Sequence, residues 1–180
     1  MRSFFTNAAI AALTFASSTT GLNILLGNDD GFASANTRET YRLLKQHGNN
    51  VALVASADKE SGQGGRSVFT NNRNLVSPSE YGIIPAGTPS IGQDPADSQI
   101  CYYNGTPAAA AFVGIDYVVP NHTNFSSIDL VVAGPNFGTN LGPFLYTLSG
   151  TAGYTYSSVG RGSPAITFSG GNGTASRTVD

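Results

Sequence analysis

The sequence predicts an α/β fold built on a mainly parallel sheet. Three observations predict it: short apolar runs recur along the chain, segments with helical spacing separate them, and glycine-rich turns follow them. "LNILLG" (22–27) and "VALVAS" (51–56) are continuous apolar runs, as in parallel strands buried on both faces.

"TRETYRLLKQHG" lies between those two runs. It sets Tyr41 and Leu44 at helical spacing, carries basic residues near its end and stops at Gly48. Strand, helix and strand make a βαβ unit. From Phe69 to Tyr103 the pattern loosens around Pro78, Pro85, Pro89 and Pro95, which predicts short strands and an excursion. "NGTPAAAAFVGIDYVV" predicts a helix, with Thr106 able to cap it and Pro107 at its first position. "IDLVVAG" (128–134) reads as a third buried strand. "SGTAGYTYSSVGRG" reads as a helix with glycine at its end, and "PAITFS" (164–169) as a fourth strand. The tail at 170–180 is polar, and no internal repeat is present.

Composition bounds the function. A chain of 180 residues with 40% hydrophobic content is most simply one domain with a real core. Charged residues are 11%, against the roughly 25% usual for soluble domains. A net charge of −2 leaves no broad basic footprint for nucleic acid. The single cysteine, Cys101, rules out an internal disulfide framework and reads as a small buried apolar residue. Arg2, the apolar stretch "AAIAALTFA" (8–16) and the small residues after it predict a secretory signal over 1–21, cleaved at about 16–21. That stretch is too short to span a bilayer. Sequons at Asn104, Asn121, Asn124 and Asn172 agree with a secreted glycoprotein.

In open α/β sheets ligands bind beyond the carboxyl ends of the strands. The segments there are "NDDG" (28–31), "ADKESGQGG" (57–65) and "GPNFGTN" (134–140), all rich in oxygen atoms and glycine. Two carboxylates about 4 Å apart repel by roughly 4 kcal/mol at an effective dielectric of about 20. A hard dication shared by Asp29 and Asp30 offsets that cost, and Gly31 allows the sharp turn both need. Mg²⁺ or Mn²⁺ fits better than zinc, because the nearby donors are oxygens and there is no Cys/His cluster. Taken alone, "DDG" reads equally as a turn before a helix. Ser61 offers a hydroxyl, Asn136 and Asn140 offer carbonyl oxygens, and "SGT" at 149–151 opens a helix whose free amides favour phosphate. His47 and His122 read as surface residues, and no G-x-S-x-G elbow supports a serine hydrolase.

The blocks "ILLGNDDG", "ESGQGG", "NGTPAAA", "DLVVAGPNFGTNLG", "SGTAG" and "PAITFS", in that order, resemble the SurE family of metal-dependent phosphatases and nucleotidases. With a secretory signal, the chain looks like the fungal-type acid phosphatase members. The resemblance implies a three-layer, Rossmann-like core with helices on both faces over residues 22–169. It implies a divalent metal ion held by Asp29, Asp30, Ser61 and Asn136, with Asp29 or Asp30 as the catalytic base. Asn28, Asn140, Ser149, Gly150 and Thr151 match positions lining the phosphate pocket. Ala133 stands where the family usually has serine, and Ala109 and Ala110 replace polar residues. The family continues past the strand matching "PAITFS" into an arm and a C-terminal helix that build a homo-oligomer; this chain has the short polar tail instead. The expected function is hydrolysis of a phosphate monoester or nucleoside monophosphate. The rival expectation is a secreted, non-catalytic phosphate- or nucleotide-binding remnant.

Overall fold

A computed structural model describes residues 21–171. The signal over 1–21, Gly21 excepted, the sequon at Asn172 and most of the polar tail therefore lie outside the described residues. The elements run in order β1 (Asn23–Gly27), α1 (Ala35–Gln46), β2 (Asn50–Ser56), β3 (Ile91–Gln93), β4 (Ile100–Tyr103) and α2 (Pro107–Val113). They continue through one wide helical turn (Gly114–Val118) into α3 (Val119–His122), then β5 (Leu130–Asn136), α4 (Gly142–Leu148), α5 (Gly150–Gly160) and β6 (Ala165–Ser169).

The strands form one sheet in the order β3-β4-β2-β1-β5-β6. Every pairing is parallel except β3 with β4. β1 is central because both its faces are apolar. Ile24 and Leu26 enter one core with Phe32, Tyr41 and Leu53, while Leu25 enters the other with Val54, Val131 and Tyr154. Each such side chain fully removed from water contributes roughly 1.5–3 kcal/mol. Helix α1 packs on the first face and α2 with α5 on the second, which makes three layers.

The close approach of α5 depends on two glycines. A Cβ on Gly27 would stand 2.1 Å from the Tyr154 ring, so the bare glycine lets that ring lie over β1, where its hydroxyl donates to the Val54 carbonyl at 3.0 Å. A Cβ on Gly153 would stand 1.8 Å from the Gly64 carbonyl oxygen, which seats α5 against the loop after β2. Ser149 caps α5 by accepting from the Ala152 amide at 3.1 Å.

Several details differ from the sequence expectations. Thr106 stands at the α2 cap position without capping it; its hydroxyl donates to the Arg66 carbonyl and accepts from the Val68 amide, tying down the 66–68 loop. The loose stretch holds short strands as expected, the buried β4 beside the edge strand β3. Helix α4 had no sequence signal, because "GPFLYTL" is apolar without a periodic face. Strand β6 pairs with β5 at the sheet edge, but Ile166 and Phe168 on it stay exposed. Cys101 is buried, and His47 and His122 are exposed. Among the described residues no helix is long and apolar enough to cross a membrane.

Candidate active site

From β1 the chain steps to β2 on one side and returns to β5 on the other, so the strand order reverses at β1. Crevices at such reversals, beyond the strand carboxyl ends, are where open α/β sheets bind ligands. Asp29 follows β1, Ser61 follows β2, Asn136 ends β5, and Ser149 caps α5. All four line one cleft of about 360 Å³, together with Asn140.

Asp29 is buried, 2% exposed, and its carboxylate accepts the Thr151 hydroxyl proton at 2.7 Å. Burial raises its pKa above the ordinary carboxyl value; the Thr151 hydrogen bond opposes the rise, and the charge of Asp30 adds to it. The Thr151 Oγ1 also lies 3.1 Å from Asn28 Oδ1 and 3.4 Å from Asn136 Oδ1. One hydroxyl proton thus stands among three acceptor oxygens.

Asp30 turns the other way. It lines a neighbouring cleft of about 200 Å³ with Ser34, Lys59, Glu80 and Tyr81, and Phe137 lines both clefts. Its Oδ2 accepts the Phe137 amide at 2.6 Å. Its Oδ1 is buried and faces the Lys59 ammonium, an ion pair at 2.8 Å. That carboxylate holds the Lys59 ammonium above the ordinary lysine range. Gly31 makes the turn expected of it, at φ 90°, yet the two carboxylates still serve different clefts.

Three residues matched to the phosphate pocket are buried and do not line this cleft. Asn28 is fully buried and braces the turn: its Nδ2 donates to Thr37 Oγ1 at 2.8 Å and to the Pro135 carbonyl at 3.2 Å, and its Oδ1 accepts the Asp29 amide at 2.8 Å. Thr151 is fully buried and spends its hydroxyl on Asp29. Gly150 is the contact that lets α5 approach Asp29, since a Cβ there would stand 2.8 Å from Asp29 Cβ and 2.9 Å from Pro107 Cγ. Asn140 and Ser149 do line the cleft; Asn140 Nδ2 donates to Ser169 Oγ at 2.7 Å. Of the glycines in "ESGQGG", Gly64 has its amide committed to the Leu148 carbonyl at 2.8 Å, so it serves packing. Sequence reasoning missed Lys59 and the Phe137 amide, because a loop lysine and a backbone donor carry no pattern.

The donor set suits a hard divalent cation. Among the described residues no three His, Cys, Asp or Glu side chains gather; the donors of this cleft would be the oxygens of Asp29, Ser61 and Asn136, with Asp30 bordering the neighbouring one.

The fold and cleft define an α/β protein with an oxygen-lined site at its strand reversal. The chain belongs to the SurE family: the family described as "Survival protein SurE" matches residues 24–179. It is 48% identical over 167 residues to an "Acid phosphatase" of Yarrowia lipolytica, covering 93% of this chain and 47% of that protein. It is 32% identical over 148 residues to a "5'-nucleotidase SurE" of Methanopyrus kandleri, covering 82% and 48%. The crystal structure of the SurE protein from Aquifex aeolicus superposes with a TM-score of 0.62 at 28% identity, over 82% of this chain and 50% of that one. The chain thus spans about half the length of the relatives it matches.

Proposed function

We propose that the chain carries the active site of a divalent-cation-dependent phosphomonoester hydrolase of the acid phosphatase or 5'/3'-nucleotidase type. One observation carries the reading: Asp29, Ser61 and Asn136, from three separate strand ends, line a single cleft with Asn140 and Ser149. The names of the relatives, acid phosphatase and 5'-nucleotidase, support the same class.

The substrate is a phosphate monoester, with nucleoside monophosphates as the first candidates. Asp29, Asp30, Ser61 and Asn136 would hold a Mg²⁺ or Mn²⁺ ion, which when bound would supply Lewis acidity toward the phosphate oxygens and toward water. Asp29 and Asp30 are the candidate bases for the attacking water. Asn140 and Ser149 line the same cleft and would offer polar groups to the phosphate. Secretion, glycosylation at the sequons and homo-oligomer formation belong to the same proposal, on the N-terminal apolar stretch, the sequon sequences and the family resemblance respectively.

The test is hydrolysis of p-nitrophenyl phosphate and of nucleoside monophosphates with Mg²⁺ or Mn²⁺, with chelator, and by Asp29→Asn. The proposal expects activity that chelator abolishes and Asp29→Asn loses. Activity indifferent to both contradicts it, and a folded chain that binds phosphate without turnover supports the binding-protein alternative.

A further inference from the structure

We infer that the cleft selects the alcohol part of its substrate: Phe137, Leu145 and Leu148 form an apolar seat for an aromatic or apolar leaving group, in the same cleft as the oxygens that take the phosphate. The inference rests on the phosphomonoester reading above and names the substrates it favours. These are aryl phosphates and nucleoside monophosphates, over the phosphates of small hydrophilic alcohols. Three observations carry it.

First, one cleft holds both kinds of group. Asp29, Ser61 and Asn136 share it with Phe137, Leu145 and Leu148. Its volume of about 360 Å³ lies in the range of sites that enclose a small organic molecule and exceeds that of a phosphate group.

Second, the two leucines lie outside the cores. Leu145 is 43% exposed and Leu148 40% exposed, and neither joins the two apolar clusters that pack against the sheet. Side chains left in water this way gain from an apolar group laid on them.

Third, the seat is held in place. Leu145 and Leu148 stand three apart in α4 and so share one face. Tyr146 packs edge-on against the Tyr156 ring of α5, 5.6 Å between centroids. The Leu148 carbonyl accepts the Gly64 amide at 2.8 Å, which fastens the end of α4 to the loop that carries Ser61. Phe137 follows Asn136 at the end of β5, and its amide donates to Asp30 Oδ2 at 2.6 Å.

Calorimetric titration with phenylphosphonate and methylphosphonate, in the presence of Mn²⁺, reads the seat without turnover. Both carry a carbon–phosphorus bond that phosphomonoester hydrolysis leaves intact. The parent is expected to bind the phenyl compound tighter by roughly tenfold. Leu145→Asn and Leu148→Asn are each expected to reduce that ratio severalfold. Phe144→Asn, on the same helix but outside the cleft, is expected to keep it. Equal affinities in the parent, or the parent's ratio in both leucine variants, overturn the inference, while hydrolysis of p-nitrophenyl phosphate still upholds the reading beneath it. A parent chain that binds neither compound and hydrolyses no p-nitrophenyl phosphate overturns both.

Discussion

Thr151 Oγ1 lies 2.7 Å from Asp29 Oδ1, joining the first turn of α5 to the turn after β1 across 122 residues of sequence. The hydroxyl is fully buried, so its proton has no water to replace this partner. Thr151→Val keeps the shape and removes the donor. It is expected to cost about 1–3 kcal/mol in urea unfolding, and Thr151→Ser is expected to recover most of it. Equal midpoints for Thr151→Val and the parent would remove Thr151 from the account.

Gly150 is the point of nearest approach between α5 and Asp29. A methyl there meets Asp29 Cβ at 2.8 Å and Pro107 Cγ at 2.9 Å, neither of which is the end of a flexible side chain. Gly150→Ala is therefore expected to destabilise the chain by about 1–3 kcal/mol and to lower hydrolysis more than Gly160→Ala, where no atom stands within reach of the new methyl. Thermal melts and p-nitrophenyl phosphate turnover of the two variants make the comparison.

Tyr154 is fully buried over Gly27, with its hydroxyl on the Val54 carbonyl. Gly27→Ala drives a methyl into the face of that ring, and the ring cannot withdraw because it fills the core between β1 and α5. The expected loss is about 1–3 kcal/mol, read by denaturant unfolding. A pairing of Gly27→Ala with Tyr154→Leu is expected to cost less than the sum of the two single changes.

Cys101 sits in β4 against the α2 side of the sheet, and burial pushes its thiol up to about 11 from 9.0. The folded chain keeps its proton over a range in which the unfolded chain has lost it. That contribution to stability is complete below pH 9.0 and is lost as pH rises toward about 11. Native protein at pH 8 is expected to resist iodoacetamide, and urea-unfolded protein to alkylate rapidly. Fast native alkylation would contradict the burial of β4.

The central strands were legible because β1, β2 and β5 are apolar on both faces and end in glycine- or asparagine-bearing turns. Helix α4 was not, since an apolar stretch lying exposed has no periodic face to betray it. Within the site, residue types in loops identified the oxygens that converge. Spacing could not separate Asn28, Gly150 and Thr151, which are buried and do not line the cleft, from Asn140 and Ser149, which line it. That difference depends on how closely α5 packs on β1, a property of the Gly27–Tyr154 and Gly150–Asp29 contacts across more than a hundred residues. The separation of Asp29 and Asp30 into two clefts likewise depends on the Phe137 amide and Lys59, neither of which carries a sequence pattern.

Anomalous diffraction from crystals of the chain soaked in Mn²⁺ tests the central claim most directly. The account predicts one strong manganese peak beyond the carboxyl end of β1, within coordination distance of Asp29 and Asn136. Ordered crystals with no peak at that position, or with manganese bound only elsewhere on the chain, would contradict it.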